Sequence, residues 1–232
     1  MRQRQAHTAV LGELPSTIAL RARNCQCPHC RPLDHDARRD RLLRMIPMGY
    51  LAKRMPQTDD WLKHMKAPLS PDVYSVGTCV NDDFADYVNY WKHNGWWFFD
   101  SPAVIQGVSR EHSISLDGAL LFFYEAYEFE FHDGKWRTFS PDKDLPSGNI
   151  VMPTNKQLEG YDVVTVWPEN SPAVEHSPLS CNGLANTLET NSHCLFATFE
   201  QAEAAVSGGR FAGGEPGALR IFAVFSIDWP SF

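Results

Sequence analysis

No apolar run in the sequence approaches the ~18–20 residues that a membrane-spanning helix needs. It also lacks a glycine-rich phosphate loop, a G-x-S-x-G elbow, an H-E-x-x-H pair and paired C-x2-C knuckles. Those absences remove the usual signatures of nucleotide binding, serine hydrolysis, zinc proteolysis and structural zinc. No internal repeat and no low-complexity tract stands out, and strands and helices do not alternate in the rhythm of a doubly wound sheet. Near the N-terminus, Arg2 and Arg4 precede a partly apolar stretch from Thr8 to Leu20. Glu13, Pro15 and Ser16 break it, and no small-residue cleavage site follows, so a secretory signal fits poorly and the cytoplasm is the expected compartment.

What is present suffices for a core. The chain has 232 residues, 43% of them hydrophobic and 12% aromatic, which excludes wholesale disorder and suits one large domain or one domain with an appendage. The net charge of −7 conceals a composition shift. Residues 1–66 carry 13 Lys/Arg against 6 Asp/Glu, whereas residues 67–232 carry 8 against 22, a net of −14. The acidic part repels nucleic acid and favours a basic partner through long-range steering. Residues 1–66 therefore read as a basic, cysteine-containing arm, flexible or translated from an over-long start. Residues 67–232 read as a single acidic domain. Within the arm, 36–46 suits one short amphipathic helix, and "PLSPD" (67–72) reads as a linker.

From Val73 onward the local signals are denser. "YSVGTCV" suits a short strand, and Phe84, Tyr87, Val88 and Trp91 recur at helical spacing over 82–92. "WWFF" (96–99) is a buried strand, and Ser101-Pro102 caps a helix through 112. Two strands flank Asp133-Gly134, a tight hairpin dipeptide. In the first of them Tyr127, Phe129 and Phe131 alternate with Glu128 and Glu130, one face apolar and the other anionic. Further strands are expected over 161–167 and 219–227, and Thr198 with Gln201 forms a capping box before "FEQAEAAVS". Together these predict an α+β fold: a mostly antiparallel sheet with a few short helices packed on it, preceded by a poorly ordered N-terminal arm.

Three groups of residues are candidates for chemistry. "EHSPLSCNGLANTLETNSHC" (175–194) gathers Cys181, His193 and His176, the residue types that a thiol nucleophile and its base require. Glu128 and Glu130, roughly 7 Å apart on one strand face, join the aromatic anchors Trp96 and Trp97 as a partner-binding surface. Cys25, Cys27 and Cys30 with His35 offer zinc ligands, although C-x-C-x2-C is not the usual paired spacing. The leading expectation is a soluble bacterial-type binding protein without a cofactor, whose acidic, aromatic-rich surface engages a basic protein. A toxin-neutralising immunity protein is one form this takes. The alternative is a thiol-dependent or hydrolytic enzyme working from the 175–194 loop, and a small metal-binding regulator is the third reading.

Overall fold

The hairpin around Asp133-Gly134 forms as its turn chemistry requires. The computed structural model describes residues 44–54, 74–77, 94, 96, 98–140, 149–166, 174–214 and 216–230. Strand β2 runs Leu120–His132, and β3 runs Lys135–Thr138. Between them Asp133 and Gly134 take φ of 50° and 75°, the left-handed pair that suits a two-residue turn between twisted strands. The other strands are β1 (Met45–Lys53), β4 (Gln157–Val166), β5 (Val174–His176) and β6 (Ala218–Ile227). Their order is β1-β2-β6-β4-β5, with β3 on β2, and every pairing is antiparallel.

The helices are α1 (Pro102–His112), α2 (Pro178–Cys181) and α3 (Phe199–Ser207), with a 3-10 turn at Leu184–Thr187. Ser101 caps α1 by accepting from the Val104 amide, and Thr198 and Gln201 form the reciprocal capping box of α3. The class is α+β, an antiparallel sheet with short helices packed on it. Among the described residues no helix is long and apolar enough to cross a membrane.

The sheet begins earlier than the charge boundary at 66/67 suggests. Met45–Lys53, assigned from sequence to the arm and in part to a helix over 36–46, is a sheet strand paired with β2. Net charge reports solvent-facing composition, whereas Met48, Tyr50, Leu51 and Ala52 are buried and hold the strand in the core. The segment Tyr74–Gly77 is turn and bend rather than strand. The arm through Leu43, the helix expected over 82–92, and Trp97 lie outside the described residues.

The expectation of no internal repeat is also corrected. β1 and β4 each carry a bulge ending in a glycine, between Pro47 and Gly49 and between Leu158 and Gly160. Tyr50 then bridges Phe99, and Tyr161 bridges Phe196. Asn94 Nδ2 donates to the Met48 carbonyl at 2.8 Å, and Asn191 Nδ2 donates to the Glu159 carbonyl at 2.8 Å. Each asparagine Oδ1 accepts the amide two residues on, from Trp96 and from His193. Two residues beyond Phe99 and Phe196 stand the helix caps Ser101 and Thr198.

The register shows the symmetry directly. Gly49 faces Tyr124, Gly160 faces Val224, and Tyr124 faces Val224 across the central β2–β6 pair. Two β-α-β halves are thus related by a pseudo-two-fold axis between Tyr124 and Val224. Both glycines are obligatory, with φ of 123° and 149°. A Cβ would meet the Phe99 carbonyl oxygen at 2.5 Å in one half and that of Phe196 at 2.7 Å in the other. Sequence inspection misses this repeat because only about a handful of positions, set by backbone crossings rather than by periodicity, must match.

Candidate functional site

Two buried charges, Lys53 and Asp162, lie within the sheet's core, both fully inaccessible to solvent. Asp162 Oδ2 accepts the Val76 amide at 2.8 Å, and Oδ1 accepts the Ser177 hydroxyl at 2.6 Å and the Val163 amide at 2.8 Å. Lys53 Nζ donates to the Ser75 carbonyl and, at 3.2 Å, to that of Gly77. Burial pulls the Lys53 ammonium down to about 7 against the opposing pull of Asp162. Burial likewise raises the Asp162 carboxyl, opposed by its hydrogen bonds and by Lys53. The Tyr124 hydroxyl beside them is buried without a hydrogen-bond partner among the described residues, and its pKa is pushed well up by burial and by Asp162. These bonds clamp the 74–77 segment to the sheet. By the two-fold, Lys53 and Asp162 correspond to Val164 and Leu51, so the half-repeat itself needs no charge there.

The clamped segment ends in Tyr74, which walls a cleft of about 610 Å³. Its floor includes Leu121, Phe122 and Ile227, and its rim includes Asn155, Gln157, Ser226 and Asp228. That volume is typical of ligand sites. Tyr74 meets Phe122 edge-on with centroids 4.9 Å apart and stacks on His193 at 3.8 Å. Behind Ser226 stands Glu159, which accepts the serine hydroxyl at 2.5 Å, and His193 Nε2 lies 3.9 Å from its other oxygen. Lys156 also lines the cleft, but its charge is matched by Glu125 at 2.5 Å, and it lies 4.0 Å over the Phe225 ring. Asp228 is exposed and has no ion-pair partner among the described residues.

The residues singled out from sequence fall in different places. His193 reaches the cleft cluster. Cys181 is disulfide-bonded, its partner outside the described residues, so it carries no thiolate in this state. Cys194 is a free thiol. The side chain of His176 lies outside the described residues, as do Cys25, Cys27, Cys30 and His35. Among the described residues no group of three His, Cys, Asp or Glu is placed to hold a metal.

Glu128 is partly buried, 3.7 Å from Arg44. Glu130, expected on a solvated face, is buried instead. A bulge between Ala126 and Glu130 resets the register and sets Glu130 opposite Arg220. There it accepts from Arg137 Nε at 2.6 Å. Arg220 stacks on Phe139 at 3.7 Å, and burial draws its guanidinium down to about 9, opposed by Glu130. Trp96 is buried against the same Phe139. Sequence reasoning missed Lys53, Asp162, Glu159, Ser226 and Tyr74, since no motif links them and only the sheet register brings them together.

The class is therefore defined by fold alone: a pseudo-symmetric antiparallel α+β sheet, with a cleft lined by the ends of β2, β4 and β6. In comparison with known proteins, no family model matches the chain, and no curated protein or solved structure matches it.

Proposed function

We propose that this is a binding protein whose cleft docks a basic segment of a partner protein. The observation that carries the reading is the cleft itself. Its aromatic wall, Tyr74, begins the segment whose residues 75–77 are held by Lys53 and Asp162, and Asp228 stands exposed on its rim. A preformed wall lowers the ordering cost of binding. An apolar floor beneath a carboxylate suits the stem and head of lysine or arginine. The −14 charge of residues 67–232 would steer such a partner in. The docking residues move accordingly from Glu130 and Trp96, which are committed to the core, to the cleft. A toxin-neutralising immunity protein in the cytoplasm is one biological form of this function. In that compartment the Cys181 disulfide would stand against a reducing thiol pool.

The test is a titration of the whole chain with a lysine- and arginine-rich peptide and with its glutamate-rich counterpart. The basic peptide is expected to bind, and more weakly as salt shortens the Debye length from about 10 Å toward 3 Å. Asp228→Lys should weaken binding by about 10-fold, mainly through slower association, with the melting curve unchanged. Equal binding of both peptides, or indifference to Asp228→Lys, would remove the reading.

A further inference from the structure

The two halves of the fold differ most tellingly at three equivalent positions. In the first half these hold Met48, Trp96 and Ala126, all buried and members of one apolar cluster. The second half has Glu159, His193 and Ser226 in their place. The backbone frame does not require that change. In both halves the asparagine makes the same bonds to the bulge, and in one half hydrocarbon fills the space. The polar trio therefore costs desolvation that this fold is able to avoid.

Glu159 shows what the trio lacks. Its side chain is only 11% exposed, yet among the described residues the hydrogen bond it accepts is a neutral one from Ser226. At 3.9 Å His193 Nε2 is beyond hydrogen-bond reach. One carboxylate oxygen thus keeps acceptor capacity beside two cleft-lining residues, Ser226 and Tyr74. The stacked Tyr74 and His193 rings stand next to it.

We propose that Glu159, Ser226, His193 and Tyr74 form the cleft's specificity subsite, and that it takes a guanidinium group. This rests on the docking reading above and names the group that the cleft selects. A flat, delocalised cation satisfies a carboxylate through its fork of N–H donors and tolerates aromatic surroundings better than a compact ammonium does. Its aliphatic stem would run over Phe122 and Ile227 on the cleft floor.

The experiment titrates methylguanidinium and methylammonium against wild type, following the His193 ring resonances by NMR, and measures basic-peptide affinity alongside. Guanidinium should shift His193 at lower concentration than ammonium does, and Glu159→Gln should abolish the shift. Peptide affinity should fall at least about 10-fold in Glu159→Gln, the scale of a lost charge-assisted bond. The triple variant Glu159→Met, His193→Trp, Ser226→Ala, which copies the first half, should fold at least as stably as wild type and bind no guanidinium, as read from its Tyr74 ring resonances. If the peptide binds wild type and Glu159→Gln equally, the subsite is wrong while the docking reading stands. If the peptide fails to bind but guanidinium still shifts His193, the docking reading is wrong and the subsite stands. Unfolding of the triple variant, with no guanidinium shift in wild type, would make the trio structural and overturn the proposal.

Discussion

Replacing Asp162 with alanine should destabilise the protein by about 3–5 kcal/mol, the cost of stripping one partner from a buried charged network. The carboxylate holds the Val76 amide, the Ser177 hydroxyl and the Val163 amide, and its loss also removes the counter-charge of Lys53. Each buried donor left unpaired costs about 1–3 kcal/mol. Asp162→Asn, which keeps an acceptor oxygen, should cost less. Urea unfolding monitored by tryptophan fluorescence measures both. A loss below about 1 kcal/mol for the alanine variant would mean that the 74–77 segment is held by something other than this carboxylate.

The same centre sets a pH dependence with a definite sign. Lys53 titrates at about 7 in the fold and at its ordinary 10.5 in the unfolded chain. Between those values the unfolded chain binds the proton and the folded one does not, so the Lys53 contribution rises with pH. The limiting slope is about 1.4 kcal/mol per pH unit, and the full penalty is present below about 7. Asp162, shifted upward, acts on the acidic side, where its contribution falls as pH rises above 3.8. Lys53→Met should therefore flatten the stability profile between about pH 7 and 9, so that wild type gains about 2 kcal/mol relative to the variant across that range. Parallel profiles for the two proteins would contradict the assignment. The tyrosines Tyr50 and Tyr124, both shifted upward by burial, make pH above 10 unsuitable for the comparison.

Phe98→Ala should cost about 3–5 kcal/mol, the range for truncating a fully buried aromatic, and that could exceed half the stability of an ordinary domain. Phe98 is 1% exposed and lies between Tyr124 at 5.4 Å and Phe222 at 6.3 Å, on both sides of the pseudo-two-fold axis. Its loss opens a cavity where the two halves meet. Thermal unfolding at neutral pH gives the number. A melting point near that of wild type would mean that the halves are held together elsewhere. The buried strand expected over 96–99 is, among the described residues, a single bridge at Phe99, although Trp96, Phe98 and Phe99 are all buried.

The elements legible in the sequence are those whose cause is local. The Asp133-Gly134 hairpin, the Ser101-Pro102 and Thr198–Gln201 helix starts, and strands β4 and β6 each follow from a turn residue, a cap or an apolar run within about ten residues. The α+β class follows from their sum. Charge was the poorer guide. It drew the domain boundary beyond β1, and strand alternation placed Glu130 in solvent, because neither registers a bulge that sets one side chain opposite Arg220. Cys181 and His193 look alike in a loop string, yet one is tied in a disulfide and the other stacks on Tyr74, a wall of the cleft.

By itself, then, the sequence determined the hairpin, the two capped helices, strands β4 and β6 and the α+β class that they add up to. Tertiary structure alone decided that Met45–Lys53 and Gln157–Val166 are two-fold equivalents, that Lys53 meets Asp162, and that Glu159, His193 and Ser226 converge beside Tyr74. The physical reason is the range of the forces. Propensity and capping act between neighbours along the chain, whereas a buried charge or a cleft is made by groups far apart in sequence that strand register brings together.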